Sequence, residues 1–463
     1  MFNKYSITVL SFFFLILLFP FLGILSKINY NVEEILIFLK NSYTQRIIFF
    51  SFYQAFLSAF ISCLLAIPFA LALNRHKDHK LIRYIISLCG FSFVIPSILI
   101  VFSVIKIFGY NGILNKYFNF YEFISIDSIY GLKAILIAHV LLNTPFATRL
   151  FVQNLNNIPK NYYEISESIN LSFFGNIFKL EIPIIRQSLF AVFSIIFSLC
   201  FLSFAIVMAL GGSPKNSTLE VAIFQYALFD LNFNKAVILS FVQIIICIIF
   251  VFIGFYKFKG SNFFEIGSIK YKHPHKNKIL IKLIDYFLIV LFSFFLFSPV
   301  ILIYSEFLKS IFFEIELTFT FIHAFINSIL ISLSTGIVVS IFGLLISYLL
   351  VINHKNFLLQ QLLFLTSSMI LIISPIIFSL GYFIFFQPII HYSYLNLFLV
   401  ILINVIFLLP FAILIFFNNL KNLYLNFNDF RKTYRIELIN YIKIIFPLLK
   451  NNFLYVFSFS TVI

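Results

Sequence analysis

Apolar stretches long enough to cross a bilayer, about 20 residues each, recur along the whole chain. Hydrophobic residues make up 62% of the 463 positions and charged residues only 11%. A soluble domain has no use for so much apolar surface. The sequence therefore predicts an all-α polytopic membrane protein.

One of the few long polar stretches that interrupt this pattern is Asn161–Gln187. A charge at the centre of a bilayer costs roughly 2.5 to 3.5 kcal/mol, so a segment with several charges must lie outside the hydrocarbon. Its apolar residues recur every four positions, which is helical periodicity, at Ile165, Ile169, Phe173 and Ile177. We predict one surface helix over 161–182, after which Pro183 opens the next spanning helix.

This stretch resembles a loop of the permease subunits of bacterial ABC importers. Their loop has the pattern Glu-Ala-Ala, three residues, Gly, nine residues, Ile-x-Leu-Pro, and its helix docks on the ATPase subunit. The positions of Glu, Gly, Ile, Leu and Pro are occupied here, at the same spacing, by Glu164, Asn170, Leu180, Ile182 and Pro183. The two alanines are replaced by Ile165 and Ser166. Asn170 replaces the glycine, and asparagine accepts a left-handed turn more readily than other non-glycine residues.

The formal net charge of +15 could indicate a nucleic-acid partner. If the surface helix is cytoplasmic, however, the whole excess of basic residues falls on the inner side of the membrane. This asymmetry is typical of multi-pass proteins and explains the charge without nucleic acid. The asymmetry fits a cytoplasmic N-terminus, and the resemblance to ABC importer permeases implies an inner-membrane protein. The four cysteines lie in apolar stretches without metal or disulfide spacing.

The apolar stretches predict about ten full spans and a partial one. In chain order they cover Ile7–Gly23, Ile47–Leu73, Tyr84–Phe108, Gly131–Phe151, Pro183–Leu210, Ala236–Phe255, Leu283–Tyr304, Ala324–Val351, Phe357–Phe386, Leu395–Phe417 and a fragment after Pro447. The basic segment 257–282 has too few apolar positions to pack a domain, so we interpret it as a cytoplasmic linker.

The second half of the chain repeats the first. Thr144–Ala147 and Gln153–Ile158 reappear as Leu409–Ala412 and Asn418–Leu423. We therefore expect two tandem permease-type helix bundles, 1–256 and 283–463. The second has a degenerate docking loop, whose positions are Asn428, Tyr434, Ile444, Phe446 and Pro447. By the repeat, this second bundle is incomplete at its C-terminal end.

Fused double-length permeases resemble the iron(III) and thiamine group of importers, and the stretch Cys200–Gln243 looks most like the thiamine and thiamine pyrophosphate permease. The resemblance implies three partners: a cytoplasmic ATPase, in two copies, that binds ATP and magnesium; a periplasmic binding protein; and the lipid bilayer. The chain itself would bind no cofactor or metal and would not be an enzyme. Polar residues at the outer end of the fifth span could contact the binding protein or cap helices: Ser203, Ser213, Thr218, Glu220 and Gln225.

Two alternatives remain at this point. An iron(III) permease would share the loop and the repeat. A secondary transporter would also suit two repeated halves, but ion coupling usually places ionisable residues near mid-bilayer. Lys106 and Lys133 lie near span ends and can extend to the interface. His139 and His323 are isolated, and a polar contact between helices is the commoner role for such residues.

Overall fold

The computed structural model describes most of the chain. The described residues are 22–23, 25, 31–90, 95–119, 128–156, 158–256, 273–276, 278–313, 319–352, 372–387, 393–433 and 438–462. All but the last two residues of the predicted span Ile7–Gly23, and the first half of Phe357–Phe386, therefore lie outside the described residues.

Within these ranges the regular secondary structure is helical. The helices are α1 Val32–Lys40, α2 Ser42–Arg75, α3 Lys80–Leu88, α4 Ser97–Phe108, α5 Ile113–Phe118, α6 Leu132–Leu155, α7 Lys160–Ser168, α8 Phe173–Asn176, α9 Ile182–Phe201, α10 Ala205–Leu210, α11 Leu219–Leu228, α12 Phe233–Tyr256, α13 Ile279–Phe313, α14 Phe319–Ile352, α15 Pro375–Phe386, α16 Ser393–Thr433 and α17 Leu438–Val462. A π-helical turn, Ile177–Glu181, joins α8 to α9.

Seven helical stretches of the described residues are long and apolar enough to cross a membrane. They are Ser42–Arg75, Ser97–Tyr117, Leu132–Leu155, Phe173–Phe201, Phe233–Gly254, Ile279–Lys309 and Phe319–Val351. An eighth is reached if Asn396–Leu409 and Phe411–Lys421, bent by 41°, form one span. In lipid a helix satisfies its own backbone hydrogen bonds, which is why such sequences form helices. The predicted all-α polytopic class is confirmed.

Two predicted spans are interrupted in the structure. The stretch Tyr84–Phe108 is divided between α3 and α4, because Pro96 lacks an amide hydrogen and disfavours helix at the preceding residue. The span beginning at α4 instead continues to Tyr117. The stretch Pro183–Leu210 is also divided, since α9 ends at Phe201 and α10 begins at Ala205.

The chain forms two compact units. The first unit comprises Asn31–Gln225 and Val242–Ile315; the second comprises Met1–Tyr30, Tyr226–Phe241 and Glu316–Ile463. In the first unit α2 packs mainly against α6 and α9, and α13 packs against α2 and α4. Small buried side chains allow α2 and α6 to approach closely: Ala55, Ala59, Ala66, Ala134, Ala138 and Ala147.

In the second unit α14 packs against α16 and α17. A Cβ atom added at Gly343 of α14 would lie only 2.8 Å from Cβ of Ala412 in α16, so glycine permits this close approach. One turn further on, the Ser347 hydroxyl donates to the Ile413 carbonyl at 3.1 Å. Both units thus pair a long apolar helix with the helix that carries the repeated Pro-Phe-Ala sequence.

Candidate functional site

The surface segment begins with α7, which presents both polar and apolar side chains outward. Glu164 is about half exposed and pairs with Lys160 one turn earlier, with Nζ 2.8 Å from Oε1. Ile165 is exposed, whereas Tyr163 and Ser166 are buried. The Ser166 hydroxyl donates to the Tyr163 carbonyl at 2.7 Å. The helix therefore rests on Tyr163 and Ser166, and its Glu164 side is free to meet another molecule.

Asn170 ends this helix in a left-handed turn, with φ of 48°. The Asn170 amide donates to the Glu167 carbonyl at 3.0 Å, and the Leu171 amide donates to the Ser166 carbonyl at 2.9 Å. This pair of bonds is the Schellman arrangement, in which the left-handed residue is usually glycine and sometimes asparagine. Asn170 therefore has the predicted left-handed conformation. It occupies the position at which the permease subunits of ABC importers carry glycine.

The prediction of one continuous helix over 161–182 is wrong. The chain turns at Asn170, and the Ser172 hydroxyl caps α8 by accepting from the Gly175 amide at 3.1 Å. Leu180 lies in the wide turn Ile177–Glu181, and Ile182 and Pro183 open α9. Proline has no amide hydrogen to donate to the preceding turn, and its ring crowds the carbonyl of that turn. Both effects favour a wide turn just before Pro183.

The apolar residues of this segment are exposed as two i, i+4 pairs. Ile165 and Ile169 are 57% and 62% exposed, and Phe174 and Phe178 are 67% and 66% exposed. Exposed large apolar groups on a charged segment are typical of a surface that contacts a partner or the lipid interface.

Beneath this segment lies a buried ionic cluster that the sequence analysis did not predict. Its centre is Arg75, the last residue of α2. Arg75 donates to both carboxylate oxygens of Asp285 in α13, from Nη2 at 2.6 Å and from Nε at 2.9 Å. His76 Nε2 donates to Asp285 Oδ2 at 3.0 Å. Two-point bonds between arginine and a carboxylate are among the strongest polar contacts in proteins.

Glu181 forms the other side of the cluster and is completely buried. Its Oε2 lies 3.7 Å from Arg75 Nη1, and its Oε1 lies 3.4 Å from His273 Nε2. The Tyr163 hydroxyl lies 3.5 Å from the same Oε1. Burial, and then the nearby Glu181 carboxylate, raise the pKa of Tyr163. The Arg75 guanidinium also lies 5.1 Å from the ring centroid of Phe173.

The end of the predicted linker 257–282 packs onto the same region. His273 and His275 are buried, and His275 Nε2 donates to the Leu171 carbonyl at 2.9 Å. Burial lowers the pKa of His275, although its bond to Leu171 opposes this effect. The turn after α7 is thus held from below by residues that immediately precede α13.

The predicted outer-face residues are divided between surface and interior. Ser213 is exposed, and its hydroxyl accepts from Gln225 Nε2 at 3.2 Å; Ser203 is partly buried. Thr218 and Glu220 are completely buried, and Glu220 Oε2 accepts from Gln243 Nε2 of α12 at 2.6 Å. A docked protein could not touch Thr218 or Glu220 in this conformation, so polarity was a poor guide to exposure there.

The second, degenerate docking loop has a different backbone. Asn428 lies within α16, which continues to Thr433, and Tyr434 lies outside the described residues. Ile444, Phe446 and Pro447 lie inside α17. In the first copy α6 ends before Pro159, and the repeat places Tyr424 at that position. Because tyrosine does not interrupt a helix, α16 has no break where α6 ends.

These helices define a polytopic α-helical membrane protein, and known membrane proteins are similar to it in sequence. The thiamine transport system permease protein ThiP of Haemophilus influenzae is 35% identical over 271 residues, covering 58% of this chain and 50% of that protein. The protein of the same name from Escherichia coli is 34% identical over 209 residues, 45% of this chain and 39% of that protein. The chain thus spans about half the length, or less, of the thiamine permeases that it matches.

A probable transport system permease protein, NifC of Clostridium pasteurianum, is 21% identical over 48% of this chain and 77% of its own length. No protein-family model matches the chain. A solved bacterial alginate ABC transporter in complex with its alginate-bound periplasmic protein aligns with a TM-score of 0.45 and 13% identity, over 55% of this chain and 93% of that chain. The sequence similarities confirm the resemblance to thiamine transport permeases.

Proposed function

We propose that this protein is the membrane-spanning permease subunit of an ATP-binding-cassette importer for thiamine or thiamine pyrophosphate. The observation that carries the proposal is the 35% identity to a thiamine permease over 271 residues. The outward orientation of Glu164 and Ile165 on a helix beside the membrane spans supports it independently. The protein would lie in the inner membrane with its N-terminus in the cytoplasm.

The permease would be driven by a separate cytoplasmic ATPase that holds ATP and magnesium. A dimer of ATPase subunits would close on nucleotide and push on the surface segment, with α7 seated on one subunit. Movement of α7 would pass to α9 through the turn at Asn170 and the wide turn before Pro183. The helix bundles would then alternate between inward and outward access. Such coupling requires that α7 bind the ATPase differently in the two states.

The substrate would arrive on a periplasmic binding protein that docks at the outer ends of the helices. Ser213 and Gln225, which bond to each other near the surface, are the two predicted outer-face residues best placed for such docking. Thiamine is a cation, and passage through a transient polar path between the helices would not require a fixed carboxylate in the bilayer.

The direct test is uptake of labelled thiamine into proteoliposomes that contain the full chain with its genomic-neighbour ATPase and binding protein. ATP-dependent uptake that unlabelled thiamine or thiamine pyrophosphate suppresses would establish the proposal. Uptake of iron(III) instead would establish the alternative importer. Thiamine uptake driven by a proton or sodium gradient without ATP would contradict both.

A further inference from the structure

In the buried ionic cluster, Arg75 lies between two carboxylates, and the contacts on the Asp285 side are shorter than those on the Glu181 side. On the Asp285 side, the three donor–acceptor distances lie between 2.6 and 3.0 Å. On the Glu181 side, the nitrogen–oxygen distances to His273 and Arg75 are 3.4 and 3.7 Å. A single guanidinium therefore holds one carboxylate firmly and another loosely.

The loose side leaves polar atoms of buried side chains without hydrogen bonds. Within the described residues, Arg75 Nη1, Glu181 Oε2 and His273 Nε2 are buried and make no hydrogen bond. Buried charges are stable only when they are closely paired and hydrogen-bonded. Since hydrogen bonds between nitrogen and oxygen centre on about 2.9 Å, a shift of less than about 1 Å would complete the contact between Arg75 and Glu181.

The two carboxylates belong to parts of the fold with different roles in the proposed cycle. Asp285 lies near the start of α13, whose packing against α2 and α4 fixes it in the body of the first unit. Glu181 ends the wide turn between α8 and α9, and Tyr163, which approaches its carboxylate, belongs to α7. Wide π-type turns inside helices are frequent at functional sites.

We infer that Arg75 is a positioning residue that links the docking segment to the body of the permease. Asp285 is its fixed partner, and the contact between Arg75 and Glu181 is a joint that tightens and loosens as α7 moves. The inference rests on the proposed function for its role in transport. A buried ion pair responds steeply to small displacements because little water screens it, and packed elements convert such small shifts into discrete states.

The joint can be tested without transport by measuring a distance. Ile165 on α7 and Leu280 on α13 are exposed, and the four native cysteines are buried, so Ile165→Cys and Leu280→Cys accept spin labels. We expect a narrow distance distribution for the otherwise unchanged chain in nanodiscs and a broadened or shifted one with Glu181→Gln. The matched control is Glu306→Gln, which alters the half-exposed pair with Lys106 elsewhere in the first unit and should change nothing.

A distribution that Glu181→Gln leaves unchanged would overturn the inference. If that variant does not fold, Arg75→Lys provides the second test, because it keeps the charge but loses the two-point bond to Asp285. Lysine should broaden the distribution, and an unchanged distribution would again overturn the inference.

Transport then tests the role of the joint. With the ATPase present, Glu181→Gln should lower thiamine uptake by at least about fivefold, the lower end of typical coupling between two sites. Co-purification of the ATPase and its rate of ATP hydrolysis should persist. If uptake and co-purification of the ATPase fell equally, the cluster would only stabilise the docking segment. That outcome would overturn the coupling role. If the unaltered chain shows no uptake, the proposed function fails, while the distance measurement still decides whether the joint exists.

Discussion

Arg75 and Asp285 are 210 residues apart in sequence and are joined by two hydrogen bonds of 2.6 and 2.9 Å in the interior of the first unit. The contact ties the end of α2 to the start of α13. A buried guanidinium needs a closely paired, hydrogen-bonded carboxylate, and Asp285 supplies it.

Asp285→Asn should therefore destabilise the protein strongly. Removing one partner leaves the other charge buried, at a typical cost of about 3–5 kcal/mol in free energy of unfolding. The midpoint of thermal unfolding in detergent should fall clearly. Glu306→Gln, which alters an exposed ion pair, should leave it nearly unchanged. Equal midpoints for the two variants would contradict the structural importance of the Asp285 contact.

Some features of this site could be predicted from the sequence because they depend on local chemistry. The left-handed turn at Asn170 follows from the residue types that tolerate it, and the exposure of Glu164 follows from the cost of burying charge in lipid. The length of the surface helix could not be predicted in the same way. Apolar residues recur every four positions through the turn, so periodicity alone does not reveal the break between Ser168 and Phe173.

Features that depend on distant contacts were not predictable. Arg75, Glu181 and Asp285 appear in the sequence as ordinary charges near the ends of apolar stretches, and nothing in their spacing pairs them. His273 lies in a basic stretch that composition favours as a linker. Glu220 was predicted either to contact a docked protein or to cap a helix at the outer end of the fifth span. It is instead buried, and Gln243 from another helix makes its burial acceptable by donating to its carboxylate.

Glu164→Lys should impair uptake much more than folding or insertion. The ion pair between Lys160 and Glu164 is half exposed, and such pairs contribute little to stability. Reversal of the charge would instead act on the proposed contact with the ATPase. We expect normal protein levels in the membrane, reduced co-purification of the ATPase and reduced thiamine uptake.

Glu34→Lys is the matched control, since it makes the same change at an exposed position of α1. If both variants transport equally well, Glu164 has no role in docking.

The contact between Gly343 and Ala412 predicts a compensating pair of substitutions in the second unit. Gly343→Ala adds a Cβ atom 2.8 Å from Cβ of Ala412, and overpacking of this kind typically costs about 1–3 kcal/mol. Ala412→Gly removes the opposing methyl group, so the double variant should be more stable than Gly343→Ala alone. Thermal unfolding of the four proteins gives the interaction free energy. Additive effects would contradict the close approach of α14 and α16.

Substitutions at Asn170 can distinguish the effect of its backbone conformation from the effect of its side chain. Asn170→Gly should preserve or slightly improve ATPase co-purification and uptake, because glycine adopts a φ of 48° without strain. Asn170→Val should lower both, since a β-branched residue in the left-handed region costs on the order of 1–3 kcal/mol. Ile169→Val is the control, because its φ of −92° suits valine.

The three variants distinguish two roles for this position. If the Asn170 side chain itself contacted the ATPase, glycine would be as harmful as valine. If the position only sets the direction in which the chain leaves α7, glycine would be harmless and valine harmful. The Schellman bonds from Asn170 and Leu171 use only backbone atoms. The second outcome is therefore the one we expect.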